Sequence, residues 1–384
     1  MRRTLVWFSE IPWDFLVQRH HHLIENLPSD WRVIFLEPIS RYKPRLRHLH
    51  QGNVVAVPLF INGILLGLPL VGFVCRLINR IYLPWVLRWY GLGKNEFTTV
   101  LSNVFVFDLA KAVGRSAIVY DCNDDIASFP HLPASTRQFF EATVRDAQKV
   151  VCASQALYSR IKPRKSSTYL IGNGVSEGFI ETAKNQRQLG LQPPPSAIGF
   201  IGVLSDWIDF ELLEKVAQHF PRTELLIVGP VVKRCRGQIK LLKAYSNVSL
   251  VGLVPYQRLP FYLARLKVGL IPFDHSRLTF SVNPNKLYEY AAFGIQVVST
   301  DFSEDVNRYC DRIHIAENHD QFLHQIEDAL DSPPVLDRSL LKIAEDNTWQ
   351  QKASRFNKLL LEVSGSASRV TGPWAEEGPQ AKVG

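Results

Sequence analysis

FDHSRLTFSVNPNKLYEYAAFG, Phe273 to Gly294, follows a short apolar run, Val268 to Ile271, and precedes another, Gln296 to Ser299. Asn283 suits an N-cap and Pro284 the first helical position. Lys286 then falls in the first turn, with Glu289 three residues on and nearly on the same face. Strand, turn, helix and strand in this order predict a parallel sheet covered by helices, where ligands sit outside the carboxyl ends of the strands. A helix N-terminus with a lysine beside it attracts a diphosphate through free N–H groups, the helix dipole and a compact ammonium charge. A carboxylate one turn deeper can accept hydrogen bonds from a pair of sugar hydroxyls. The competing reading is a solvated i,i+3 pair on a helix surface.

The same alternation continues in both directions. Upstream strands are expected at Thr4 to Phe8, Arg32 to Leu36, Asn53 to Val57, Thr98 to Leu101, Ala117 to Tyr120, Lys149 to Cys152 and Thr168 to Ile171. LQPPPS, after Gly190, reads as a linker. Beyond it come strands at Ala197 to Ile201, Glu224 to Val228, Val248 to Val251 and Arg312 to Ile315, besides the two flanking the opening segment. A helix from about Asp206 spaces Phe210, Leu213, Ala217 and Phe220 along one face. The expected organisation is therefore α/β throughout. It has a first domain at 1–190, a second at 191–346, a last helix at 347–363 and a disordered tail at 364–384.

The length of 384 residues suits two domains, and 46% apolar with 21% charged residues suits large cores. The basic excess of +8 has an address: no Asp or Glu lies between Glu37 and Glu96, a window holding Arg41, Lys43, Arg45, Arg47, Arg76, Arg80, Arg88 and Lys94. Five scattered cysteines without a Cys-x-x-Cys pair argue against a disulfide framework and a zinc site. The apolar stretch after Arg2 and Arg3 is too short for a signal peptide, so a cytosolic chain is expected.

The turn after the first strand, Ser9 to Trp13, has no glycine, which removes the main support for a dinucleotide-binding domain. Walker A, Gly-x-Ser-x-Gly and His-Glu-x-x-His patterns are also missing. His20, His21 and His22 point about 100° apart on a helix and do not converge on one ion. Neither a metal nor a cofactor is expected. Nucleic-acid binding is disfavoured because the basic window is interleaved with aliphatic residues and no recognition motif occurs.

Residues 283–300, NPNKLYEYAAFGIQVVST, together with NVSLVGLVPYQRLPFYLARLKVGLIPF and the NGV at Asn173 to Val175, resemble the donor half of GT-B glycosyltransferases of the large retaining family 4. IPWDFLVQRHHHLIENL, VYDCNDD, VVCASQALYSRI and IGFIGVLSDWIDFELL resemble a bacterial branch that builds envelope polysaccharides, teichuronic-acid type enzymes among them. The resemblance implies two Rossmann-like domains facing across a cleft, with the last helix crossing back to the first domain. It implies a nucleotide diphosphate sugar on the second domain. Lys286 would neutralise the departing diphosphate and Glu289 would hold the ribose hydroxyls, with Gly202, Val254, Ser281 and Leu287 completing the donor site. A lipid-linked or polysaccharide acceptor would lie on the first domain near Asp14, Arg19 and Asp124.

Two positions depart from the family pattern. Ser281 stands where relatives carry a glutamate contacting the donor sugar, and Asn123 precedes Asp124 where many carry a histidine. In a retaining, front-face reaction the diphosphate itself can take the acceptor's proton. An inverting one needs a base, for which Asp124 is the candidate, a turn or capping role being the other reading. Arg19 or Lys233 would add positive charge at the leaving group. The two departures also support the alternative of a GT-B protein that has lost turnover and serves as a binding or scaffold partner.

Val54 to Cys75 carries no charge, but prolines and glycines interrupt it, so a transmembrane helix is not expected. The next stretch mixes Arg76, Arg80 and Arg88 with Trp85 and Trp89. The region 54–94 is thus expected to dock on an anionic membrane surface, placing the protein peripherally on the inner face. The alternative is that these apolar residues are core helices packed on the sheet.

Overall fold

A computed structural model of the chain describes residues 3–39, 48–60, 69–93, 97–113, 118–130, 132–188, 196–332 and 338–364. The linker expected at 191–196 falls almost wholly outside these residues, as do the tail from 365 on, residues 61–68 and 94 of the expected docking region, and five basic residues of the window, Arg41, Lys43, Arg45, Arg47 and Lys94.

The first sheet has eight strands: β1 (Arg3–Phe8), β2 (Trp31–Pro38), β3 (Leu49–Gln51), β4 (Val54–Leu59), β5 (Thr98–Leu101), β6 (Ile118–Cys122), β7 (Lys149–Cys152) and β8 (Thr168–Leu170). They run in the order β3-β4-β2-β1-β5-β6-β7-β8, parallel except for β3 against β4. β3 was not expected from sequence. It is three residues long, polar at two of them, and exists because a two-residue turn through Gly52, at φ 58°, folds it back on β4.

The second sheet has six parallel strands: β9 (Ala197–Ile201), β10 (Leu225–Val228), β11 (Val248–Gly252), β12 (Leu266–Ile271), β13 (Gln296–Thr300) and β14 (His314–Ala316), in the order β11-β10-β9-β12-β13-β14. Most of these strands are buried along their length because helices cover both faces, which is why they read as unbroken apolar runs rather than alternating ones. In each sheet the strand order reverses beside one strand, β1 in the first and β9 in the second. A crevice opens outside the carboxyl end of a strand at such a point.

The helix Glu177–Gln188 packs Phe179, Ile180 and Ala183 into the core of the second sheet. The expected boundary at residue 190 therefore moves back to the crossing at Gly172 to Val175. The return crossing lies at Asn347 to Trp349, and the two are tied together: Val175 N donates to Asn347 O and Trp349 N to Val175 O, both at 2.9 Å. A Cβ on Gly174 would lie 2.3 Å from Asn347 O, so only glycine permits this approach. The helix Trp349–Ser364 then lies on the first domain. It buries Trp349, Ala353, Phe356, Leu360 and Val363 with Leu5, Trp7 and Val100, and Trp31 Nε1 donates to Asn357 Oδ1 at 2.7 Å.

The three consecutive histidines lie on the helix Arg19–Glu25, beneath that last helix, and all three are buried. His21 donates from Nε2 to Trp13 O at 2.7 Å and accepts from Gln18 N at Nδ1, which fixes a neutral ring. His22 stacks on Trp349 with centroids 4.8 Å apart and planes 12° apart. Burial, reinforced by the neighbouring His21, brings the His22 pKa down to about 3. At this site the unfolded chain takes up a proton below pH ~6.5 and the folded chain does not, so the stability His22 contributes is lost progressively as pH falls from there. A His22→Phe variant keeps the stacked ring without the proton. From pH 7 to pH 5 its unfolding free energy relative to wild type should rise by roughly 2 kcal/mol. Urea unfolding at both pH values reads this, and a pH-independent difference would refute it.

Candidate active site

The carboxyl ends of β1 and β9 face each other across a cleft of about 740 Å³ lined by both domains. On the second-domain side stands the helix Asn285–Ala292. Its start differs by one residue from the sequence reading. Pro284, extended at φ −78° and ψ 125°, occupies the N-cap, and Asn283 does not cap. Asn283 is buried instead: its Nδ2 donates to Asp305 Oδ1 at 3.2 Å and its Oδ1 accepts from Tyr288 Oη at 2.9 Å. Its carbonyl accepts from Asn173 Nδ2 at 2.7 Å. Asn173 in turn accepts from Arg19 Nη1 at 3.1 Å, and Arg19 is ion-paired with buried Asp121. A polar chain thus runs from the floor of the first domain to the residue preceding the helix, fixing where its first turn points.

Lys286, the second residue of that helix, projects half-buried into the cleft. Its Nζ lies 4.4 Å from the ring centroid of Phe273 and 5.2 Å from that of Phe200, so two aromatic faces hold the ammonium. Burial pulls its pKa down to about 8, and Glu289 opposes that shift. Gly202, directly after β9 at φ 153°, passes beside it: a Cβ there would lie 3.2 Å from Lys286 Cε and 3.3 Å from Nζ. The missing side chain leaves room for a ligand to reach both the backbone and the ammonium.

Glu289 lies one turn deeper and is buried. Burial pushes its carboxyl up, while Lys286 and the hydroxyl of Tyr256 counter this. Val254 lines the same wall. Two other expected donor contacts do not reach the cleft with their side chains. Leu287 is fully buried in the core of the second sheet, because the helix turns it about 100° away from Lys286. Ser281, which ends the short helix Arg277–Phe280, is also buried, and Leu278 and Val282 line the wall beside it. Lys233 is exposed and outside the lining.

Arg19 and Asp124 line the first-domain side, whereas Asp14 is exposed and lies outside the lining. Arg19 is committed to Asp121, with Nε 3.1 Å from Oδ1, so it serves as a fixed cation of the floor. The aspartate pair after β6 splits in role. Asp125 is buried and bonded to Arg160 Nη1 at 2.6 Å and Ser128 Oγ at 2.7 Å, partners that hold its pKa low against the effect of burial. Asp124 keeps its carboxyl toward the cleft, where burial first and Asp125 second raise it to about 6.

Glu10 was missed by the sequence reading. It opens onto the cleft, and the surrounding protein together with Asp124 and Asp121 pushes it up to about 8. Its loop is pinned by Asn103 Nδ2 donating to Ser9 O at 3.2 Å and by Ile11 N donating to Ser9 Oγ at 3.2 Å. The available signal was its place immediately after the first strand.

Two parallel-stranded α/β domains facing across such a cleft, with the last helix returned to the first, are the GT-B fold of glycosyltransferases. Residues 195–332, nearly the whole second domain, match the family model of glycosyl transferases group 1. A curated relative, TuaH of Bacillus subtilis, named for teichuronic acid biosynthesis as a glycosyltransferase, is 24% identical over 202 residues, which cover 48% of this chain and 50% of that protein. The chain thus spans about half the length of the curated relative it matches. Sucrose-phosphate synthase from Thermosynechococcus elongatus superposes with a TM-score of 0.74 at 15% identity, over 95% of this chain and 100% of that one. HepE of Anabaena, solved with UDP and glucose, superposes with a TM-score of 0.67 at 14% identity, over 93% and 98%. At these identities the structures establish the fold.

Proposed function

We propose that the protein is a glycosyltransferase that takes a sugar from a nucleotide diphosphate sugar held by the second domain. It passes the sugar to a lipid-linked or polysaccharide acceptor of the cell envelope held by the first. The observation carrying this reading is the Lys286 ammonium, held in the cleft between two aromatic rings at a helix N-terminus, against a glycine that leaves it open. Cleaving the sugar–phosphate bond leaves an anionic diphosphate and an oxocarbenium-like sugar, so preorganised positive charge at the leaving group lowers the barrier most. Lys286 and the helix end supply that charge without a metal or cofactor. Glu289, buried within reach of the same space, suits the ribose hydroxyls, and Gly202 and Val254 bring backbone to the diphosphate and base.

A retaining course, in which the diphosphate itself accepts the acceptor's proton, follows from the resemblance of residues 283–300 to the retaining family 4. Asp124 is assigned to acceptor binding. Uridine nucleotides are the first donors to test, because similar structures were solved with UDP-glucose and UDP. The scaffold reading retains both departures as support: no carboxylate stands at Ser281, and Asn123 rather than a histidine precedes Asp124. Incubating the purified chain with a panel of nucleotide sugars separates the two readings. Nucleotide release from at least one donor, enhanced by an acceptor fraction, is expected. Donor binding without release would favour the scaffold.

The site of work is proposed to be the inner membrane surface. The helix Pro69–Trp89 buries Leu83, Val86 and Leu87 against the first sheet and exposes Phe73, Leu77, Ile81, Trp85 and Trp89, spaced four apart, on its outer side. The stripe runs lengthwise along the surface, and no helix among the described residues is long and apolar enough to cross a membrane. Arg80 and Arg88 are exposed beside it. This arrangement favours docking over the core-helix alternative.

A further inference from the structure

Tyr256 opens the short turn of helix Tyr256–Arg258, four residues past the end of β11, and its side chain lines the cleft. Its ring is clamped from both domains. It stacks on Phe179 of the second-domain helix Glu177–Gln188, with centroids 4.8 Å apart and planes 21° apart. It also meets His22 of the first domain at 5.0 Å, tilted by 60°. His22 in turn stacks on Trp349 at the return crossing. A column of four rings, Phe179, Tyr256, His22 and Trp349, therefore bridges the domains at the root of the cleft.

The hydroxyl at the end of that clamped ring faces the Glu289 carboxylate, yet it completes no hydrogen bond of good geometry among the described residues. Packing alone needs only the ring, and a phenylalanine would fill the column as well. A buried hydroxyl left without a partner is costly unless a ligand completes it. We propose that Tyr256 is a nucleotide-recognition residue: its hydroxyl and the Glu289 carboxylate together receive the hydroxyl pair of the donor's ribose. The proposal rests on the donor reading given above and adds a second protein group to the ribose subsite.

The chemistry is complementary. Glu289 offers only acceptors when ionised, whereas the phenol can donate to the carboxylate and accept from a ribose hydroxyl at once. Burial first and the Glu289 charge second push the phenol pKa well up, so it stays a donor over the working pH range. Because the ring is held by His22, its place depends on the first domain, and ribose contact is sensitive to how the domains sit. A nucleotide lacking both hydroxyls has nothing to offer this pair.

The test compares wild type with Tyr256→Phe, which keeps the ring column. Calorimetric titration uses uridine, guanosine and adenosine diphosphates, each with its 2′,3′-dideoxy analogue, and thermal melts of the free proteins check the fold. The expected result is about a tenfold loss of affinity in the variant for the preferred ribonucleotide, a normal value for a hydrogen bond involving a charged group. The dideoxy analogue should bind wild type and variant alike. Equal affinity of both proteins for the ribonucleotide overturns the proposal, and so does an equal loss for both ligands, which would assign Tyr256 to packing. If wild type itself binds no ribonucleotide, the donor reading falls, and this inference with it; that outcome is read from wild type alone.

Discussion

Lys286→Met should lower kcat/KM for the nucleotide sugar by about 10³-fold, the scale seen when one preorganised charge at a developing anion is removed. Methionine keeps most of the stem that lies between Phe200 and Phe273, so the fold should survive and the loss should report the charge. The effect should fall mainly on kcat, because the ammonium matters most when the diphosphate is leaving. The pH profile gives an independent check. With its pKa lowered to about 8 by burial, Lys286 in the free protein loses its proton as pH rises through that value. Wild-type kcat/KM should then fall on the alkaline side of about pH 8 and the methionine variant should lack that limb. A variant with more than a tenth of wild-type turnover, or an unchanged alkaline limb, would remove Lys286 from the reaction.

The reason this site was legible from sequence is that its chemistry is local. A strand end, a turn and the first residues of a helix follow one another, so Lys286 and Glu289 could be placed together from spacing alone. What sequence could not supply is contact between distant segments. Asn283 has the composition of an N-cap, but Asp305, Tyr288 and Asn173 compete for its side chain and carbonyl, and Pro284 takes the cap. Periodicity separates Leu287 from its neighbours only once the helix is docked, after which it belongs to the core. Glu10 and Tyr256 reach the cleft because β1 and β11, which end at Phe8 and Gly252 in different domains, open on the same gap, and nothing within either segment announces that. Strand positions were recovered nearly everywhere, since fully buried parallel strands read as apolar runs; β3 escaped because its existence depends on a turn and a neighbour. The domain boundary moved for a related reason. A proline cluster is visible in sequence, but the sheet that captures the helix Glu177–Gln188 is not.

The second large effect concerns the exposed helix. Changing Arg76, Arg80 and Arg88 together to Glu should cut recovery with anionic vesicles in a flotation assay to the level seen with neutral vesicles or below. Each basic residue near an anionic surface contributes about 1 kcal/mol, so losing three costs on the order of 3 kcal/mol, or more than a hundredfold in partitioning, before the repulsion from three new carboxylates is counted. The fold should tolerate the change. The ion pair of Arg80 with Asp108 is open, at 3.8 Å, with both side chains substantially exposed, and such pairs contribute little. A second variant, Trp85→Ser with Trp89→Ser, removes the two stacked rings from the apolar stripe without altering charge. The two variants divide the interaction. The tryptophan variant should lose binding to neutral and anionic vesicles alike, and the charge variant only the preference for anionic ones. Both should retain nucleotide release in solution, because neither set lines the cleft. Unchanged flotation of both variants would mean that the stripe meets another surface, and the acceptor would then have to reach the cleft from solution rather than from a bilayer.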